Sequence, residues 1–421
     1  MRRKANALIP ALVCVVLVGL FVPLAVWSGG AAEGPAFEER YGDMSWSDIV
    51  EEARGQTLYF YGWGGSDAIN RFLQEWVASR LQEDYEIDFE FVPVTDASVF
   101  VNAVAGEQAA GRDSDGSVDM MWINGENFRT MREADLLFGP FSDRLPHQQF
   151  VDSDSAVIAN DFGYPVNGYE SPWGSAQFVM TYDQARTPEP PTRIGALLEW
   201  IRANPGRFAY PAPPDFTGSA FVRHVFYHVA GGYERLLGPF DQDLFNEIAS
   251  ETWALLNELE PYLWREGETY PENKARLEDL FANSEVDFDM NYNPAGSANL
   301  VAQGRYPEST RTFVFDEGTI ANTHYVAISY NSSSKAAAMV AADFLLGPEA
   351  QLEKQRAEVW GDLTVLDVSS LTDEFRTAFE SLPRPPSVLS PQTLGEYRMP
   401  ELQADWLQAI EAGWIENVLI Q

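Results

Sequence analysis

Three stretches of this chain end an apolar run on an aromatic residue, add small polar residues and then begin a helix. They are Thr57–Asn70 (TLYFYGWGGSDAIN), Val118–Phe128 (VDMMWINGENF) and Val286–Leu300 (VDFDMNYNPAGSANL). These residue types suit recognition rather than bond breaking. Trp63, Trp122 and Tyr292 can offer ring faces. Gly64, Gly65 and Ser66 can present N–H and hydroxyl donors, and Asn124, Asn127 and Asn293 can hydrogen-bond a polar solute. Glu126 can pair a cation, or merely favour the start of its helix. Trp173 and Gln177 open a later apolar strand, and Asp215, Thr217 and Gly218 open a helix after a proline-rich loop. Each set also has a plain reading as core packing, a tight turn or a helix cap.

Catalytic signatures are poor. The chain has no Gly-x-Ser-x-Gly elbow, no His-Glu-x-x-His and no Walker loop. Gly62-Trp63-Gly64-Gly65 lacks the spacing of a dinucleotide fingerprint. His224 and His228, four apart on an expected helix, are a weak metal pair with no evident third ligand, so no metal or cofactor is expected. Asp287 and Asp289 have a spacing that glycoside chemistry can use, but 63 acidic residues make chance pairs common.

The elements that must position these residues alternate strand and helix. Gln56–Tyr61, Ile87–Phe91 and Val118–Ile123 read as strands, and amphipathic helices lie between them. This βαβαβ order predicts a parallel sheet. Ligands of such sheets bind at the carboxyl ends of strands, where helix N-termini offer unpaired amides. A second unit begins near Pro172, with a strand at Ala176–Tyr182 and another at Phe208–Tyr210. Val286–Tyr292, Thr312–Phe315 and His324–Ser329 read as pieces of the first sheet, reached after the second unit is finished. Lys335–Leu346 and Leu402–Ile415 read as amphipathic helices on the outside. A chain that leaves a domain and returns makes two lobes with a cleft between them.

Bulk properties point to an exported, folded, acidic protein. The 421 residues suffice for about two domains, and a 45% hydrophobic share supports a sizeable core. A net charge of −35 excludes a nucleic-acid footprint and fits a heavily solvated acidic surface. The single cysteine, Cys14, lies in the N-terminal apolar run, which leaves the rest without a disulfide. Arg2, Arg3 and Lys4 precede the apolar stretch Ala7–Trp27, and small residues follow to Ala32. Residues 1–32 therefore read as a secretory signal or an uncleaved membrane anchor, with the body outside the cytoplasm.

At this point a resemblance carries further. DGSVDMMWINGENF, with YFYGWGG, ESPWGSAQFVMTYD, NPGRFAYPAPPDFTG and NSSSKAAAMVAADFLLGPEAQLEKQ, closely resembles extracellular solute-binding proteins of ABC importers. Within these it looks most like the YnjB-type group. The resemblance covers roughly Trp46 to Leu366. It implies an α/β, two-lobe, type II periplasmic-binding-protein fold. One lobe is expected from 46–168 with 290–328, the other from 169–289 with 329–421. It also implies a monomer that hands a solute to a membrane permease driven by an ATPase. Its cleft-facing matches would be Trp63, Trp122, Asn124, Trp173 and Tyr292. Ferric binders of the superfamily offer adjacent tyrosines, and no Tyr-Tyr pair occurs here. Aromatic faces with carboxylates suit a small cationic, thiamine-like solute, and a sugar would also stack on tryptophan. The rival expectations are a membrane-anchored sensory module without transport and a secreted carbohydrate-active enzyme.

Overall fold

The computed structural model describes residues 40–419. The expected signal or anchor, with Cys14, lies outside the described residues. Among the described residues no helix is long and apolar enough to cross a membrane.

The first sheet is seeded as its alternation dictates. Strand β1 (Thr57–Trp63) buries Leu58, Phe60 and Gly62 and leaves Tyr59 and Trp63 exposed. It pairs in parallel with β2 (Asp88–Val94) and β3 (Met120–Ile123). The helix between β1 and β2 runs from Asp67 to Tyr85, with Ser66 accepting from the Ile69 amide at its start. Its Phe72, Leu73, Val77 and Leu81 fill the first core beside Phe60, Phe89 and Phe91. Helix α1 (Ser98–Ala109) joins β2 to β3, with Asp96 accepting from the Ser98 amide. Helix α2 (Glu126–Glu133) follows β3.

Two further strands cross out of this sheet. After the short β4 (Leu137–Phe138), β5 (Ser171–Gln177) pairs antiparallel with a later strand of the same sheet. Phe178 alone separates it from β6 (Val179–Asp183), which lies in a second sheet. That second sheet is three-stranded and antiparallel, with β6 between β7 (Phe288–Asn291) and β8 (Thr310–Phe313). The return crossing is β9 (Thr319–Ser329), eleven residues long, antiparallel to β3, β4 and β5. Strand β10 (Arg398–Met399) closes its edge in parallel.

The second core holds Phe178, Met180, Phe208, Phe221, Phe226, Trp253, Phe288, Trp406 and Trp414. It gathers helix α3 (Phe216–Ala230) and, near the C-terminus, helix α6 (Ala404–Trp414). Between them in sequence, α4 (Lys335–Leu346) and α5 (Pro348–Gln355) return to the first lobe.

Packing corrects several expectations. Strands β7 and β8, expected in the first sheet, belong to the second; only β9 rejoins the first. An apolar run does not name its partner strand, and here Phe288 and Met290 register against Tyr182 and Met180. Helix α4 is buried on every side from Ala336 to Leu346, not laid on the outside. Its alanines leave no polar face, so only a two-sided core suits it. Residues 335–382 therefore pack with the first core and 288–315 with the second, which redraws the expected partition. Phe208–Tyr210 is buried but forms no strand.

Candidate functional site

The crossover strands set the floor of the cleft, and the strand ends set its walls. At the end of β1, Trp63 keeps 48% of its surface exposed, and among the described residues no aromatic ring stacks on it. Its indole leans over Gly65, where any side chain would collide with it. The Gly64 amide is already given to the Val94 carbonyl, and the Gly64 carbonyl accepts from Asn70 Nδ2. Ser66 is spent as the helix cap. Among the described residues, the Gly65 and Ser66 amides have no hydrogen-bond acceptor.

At the end of β3, Trp122 packs edge-on to Trp173 at 5.1 Å and to His324 at 4.9 Å, and tilts against Trp360 at 5.9 Å. Trp173 is fully buried in this cluster, so it is a core residue rather than a solute platform. Asn124 donates through Nδ2 to the Thr323 carbonyl at 2.7 Å and to Asp161 Oδ1 at 3.3 Å, tying β3 to the crossing strand. Glu126 is exposed at the first turn of α2 and has no ion-pair partner among the described residues. Asn127 is half-buried in the same turn. Gln177 is buried, donating to Thr319 Oγ1 at 3.0 Å inside the hinge sheet.

On the second lobe, Tyr292 follows β7. Its hydroxyl donates to Glu401 Oε1 at 3.0 Å and accepts from Arg223 Nη2 at 3.0 Å. Arg223 also pairs with Glu401 Oε2, and Asn322 of β9 reaches Glu401 Oε1 at 3.4 Å. Phe216 lies over the Tyr292 ring at 4.5 Å and remains 45% exposed. Its neighbour Asp215 is consumed by structure: Oδ1 accepts from the Thr217 and Gly218 amides, and Oδ2 from the Lys274 amide. Thr217 is buried, and Gly218 presses on the Pro211 carbonyl too closely for any side chain. Asn293 donates to the Trp360 carbonyl at 3.1 Å, a bond that joins the two lobes.

The structure thus joins Trp122 and Asn293 through Trp360, and leaves Trp63 exposed at the end of β1. Gly62 next to Trp63 sits against Trp122. Trp173, Gln177, Asp215, Thr217 and Gly218 stay within the packing. Sequence reasoning missed Phe216, His324, Asn322, Trp360 and Glu401. One signal was available. Trp360-Gly361 is a third Trp-Gly pair after Trp63-Gly64 and Trp173-Gly174. In all three the glycine is required by a close approach, and a side chain at Gly64 would strike Pro93. A side chain at Gly174 would strike Asp362 Oδ2, and Gly361, at φ 80°, would strike Ala295.

Two considered chemistries find no support in the geometry. His224 hydrogen-bonds the Ala220 carbonyl through Nδ1 and accepts from the Ile320 amide through Nε2, so neither nitrogen can ligate. Burial pulls its pKa down to about 3, which keeps it neutral. Asp287 pairs with Arg186 and Arg207, while Asp289 is buried and accepts from Tyr306 at 2.7 Å.

Behind the floor, a cavity of about 20 Å³ is lined by Asp161, Asn322, Thr323 and Glu401. Asp161 is buried and accepts from the Gly125 amide at 2.6 Å. Burial, reinforced by Glu401 and Glu126, overrides its hydrogen bonds and raises its pKa to about 8. Glu170 is also buried; among the described residues neither oxygen has a hydrogen-bond partner, and burial drives its pKa well above the usual carboxylate range.

Comparison with known proteins gives a consistent answer. The model of the bacterial extracellular solute-binding protein family matches residues 76–381. Protein YnjB of Escherichia coli (strain K12) is 41% identical over 372 residues, covering 88% of this chain and 93% of that protein. Among solved structures, the spermidine/putrescine ABC transporter substrate-binding protein PotD of Streptococcus pneumoniae superposes with a TM-score of 0.62 at 13% identity, covering 86% of this chain and 99% of that one. A periplasmic thiamin binding protein superposes at 0.53 with 17% identity, covering 86% and 97%. These likenesses show the two-lobe, type II periplasmic-binding fold. The family match and the curated relative together place this chain among the bacterial extracellular solute-binding proteins, the solute-binding components of ABC transporters.

Proposed function

We propose that this protein captures a small, polar, nitrogen-containing cation outside the cytoplasm and delivers it to a membrane permease powered by an ATPase. The observation that carries the reading is the open ring of Trp63 at the end of β1. A cation over an indole gains about 0.5–2 kcal/mol, more as water is excluded. Glu126, without an ion-pair partner at the β3–α2 junction, supplies the compensating charge. Nearby carboxylates are otherwise engaged: Glu401 by Arg223 and Asp362 by Lys354. Phe216 supplies an apolar face from the second lobe. Thiamine is the model solute of this class, and the fold-level likeness to thiamin- and polyamine-binding proteins is compatible with it.

Closing the lobes over the solute excludes water and strengthens each polar contact. Motion of this kind is a hinge rotation that the solute selects. The one-residue link at Phe178 and the long strand β9 are its natural pivots. Native mass spectrometry of the protein purified from its host tests the solute class. A one-to-one adduct with the mass of a nitrogenous cation is expected. A carbohydrate mass would overturn the cationic reading.

A further inference from the structure

His324 lies on the crossing strand β9, and its surroundings are unusually complete. Asn322 and His324 share one face of that strand, both partly exposed. On the other face, Thr323 and Tyr325 bond the carbonyls of Val157 and Ile158. The imidazole stacks on Trp360 at 5.9 Å and 25° and stands edge-on to Trp122 at 4.9 Å. Its rotamer is therefore held by two tryptophans, Trp360 and Trp122.

One ring nitrogen is committed. Nε2 lies 3.1 Å from Asp362 Oδ1, while Lys354 Nζ holds Asp362 Oδ2 at 2.8 Å. Burial alone would raise the Asp362 carboxyl, but Lys354 and His324 hold it below the usual carboxylate range. The carboxylate is thus an acceptor, and the hydrogen of that contact belongs to Nε2. In the neutral ring Nδ1 then carries a bare lone pair. Among the described residues no group donates to Nδ1, and 15% of the side chain stays exposed.

We infer that His324 is a specificity-determining residue of the cleft, its Nδ1 accepting a hydrogen bond from an N–H or O–H of the solute. Asp362 and Lys354 are the positioning residues that fix the tautomer and orientation. The inference rests on the reading that this cleft takes a small polar solute. It adds a chemical class: amines, amidines and hydroxyls are favoured, and solutes presenting only acceptors, such as carboxylates, are not.

The test combines imidazole nitrogen NMR on the full chain, with isotope-labelled histidine, and two variants probed with thiamine. Asparagine places its amide near the position of Nδ1, and glutamine near that of Nε2. His324→Asn should therefore keep thiamine affinity within about threefold of the wild type, whereas His324→Gln should weaken it about tenfold. A merely structural histidine gives the reverse order, because His324→Asn abandons Asp362; that result would overturn the inference. NMR should show the Nε2–H tautomer, with the Nδ1 resonance shifting on thiamine addition. If thiamine fails to bind the wild type, the thiamine-like reading falls, and the NMR with spermidine decides the present inference. An Nδ1–H tautomer overturns it under either outcome, and an Nε2–H tautomer supports it only when the Nδ1 resonance also shifts on addition of thiamine or, where thiamine fails, of spermidine; an unmoved Nδ1 overturns it.

Discussion

Trp63 and Trp173 are the same residue type, each followed by glycine, yet the fold assigns them opposite tasks. Trp63 ends its strand in the open, and Trp173 is sealed among Phe60, Trp122 and Trp360. Trp173→Ala should cost about 3–5 kcal/mol in denaturant unfolding, as large-to-small core changes do. A change under about 1 kcal/mol would show that the cluster repacks freely. Asp161 makes a pH prediction. Its ordinary value near about 3.9 applies to the unfolded chain, and in the fold it rises to about 8. Between those values the folded chain holds a proton that the unfolded chain has released. Its contribution to stability therefore falls as pH rises through that window and levels off above it. Asp161→Asn should remove this slope, so its stability relative to the wild type should climb from about pH 4 to pH 8. Parallel stability curves would disprove the assignment.

At the scale of elements, the cap of α3 connects sequence to site. Asp215 holds the Thr217 and Gly218 amides and also the Lys274 amide, so it sets where Phe216 emerges. Asp215→Ala should lower stability by about 1–3 kcal/mol, the sum of a lost cap and an orphaned amide. Unchanged thermal unfolding would mean that the loop compensates. Legibility follows the same divide. Strands β1 to β3 and their helices could be read from periodicity because their hydrogen-bonding order is local and parallel. The sheet membership of β7 and β8 could not, because antiparallel partners are chosen by distant segments. Helix α4 misled because an alanine-rich repeat has helical spacing but no polar face. Trp63, Asn124, Tyr292 and Asn293 were legible as strand ends. Phe216 and Trp360 were not, because they come near the crossover strands only when α3 and the loop after α5 fold back, and His324, on β9 itself, was not, because its partners Asp362 and Trp360 come from that loop.

At the scale of the molecule, the account is of two cores joined by few crossings. Phe178 links β5 to β6, β9 returns, and the Asn293 to Trp360 bond and the Arg129–Asp405 ion pair tie the lobes together. The Arg129–Asp405 pair is partly exposed and is worth about 0–1 kcal/mol, so it can open without large cost. A protein built this way can close on a solute and release it at a permease. The central claim is that one small polar solute binds between the lobes against Trp63. Equilibrium titration of intrinsic tryptophan fluorescence, run on the wild type and on Trp63→Ala with thiamine, polyamines and sugars, tests it most directly. The account predicts saturable one-to-one binding of a cationic solute to the wild type, weakened about three- to thirtyfold in the variant while its thermal unfolding is unchanged. No saturable binding across the panel, or equal affinity in the two proteins, would contradict it.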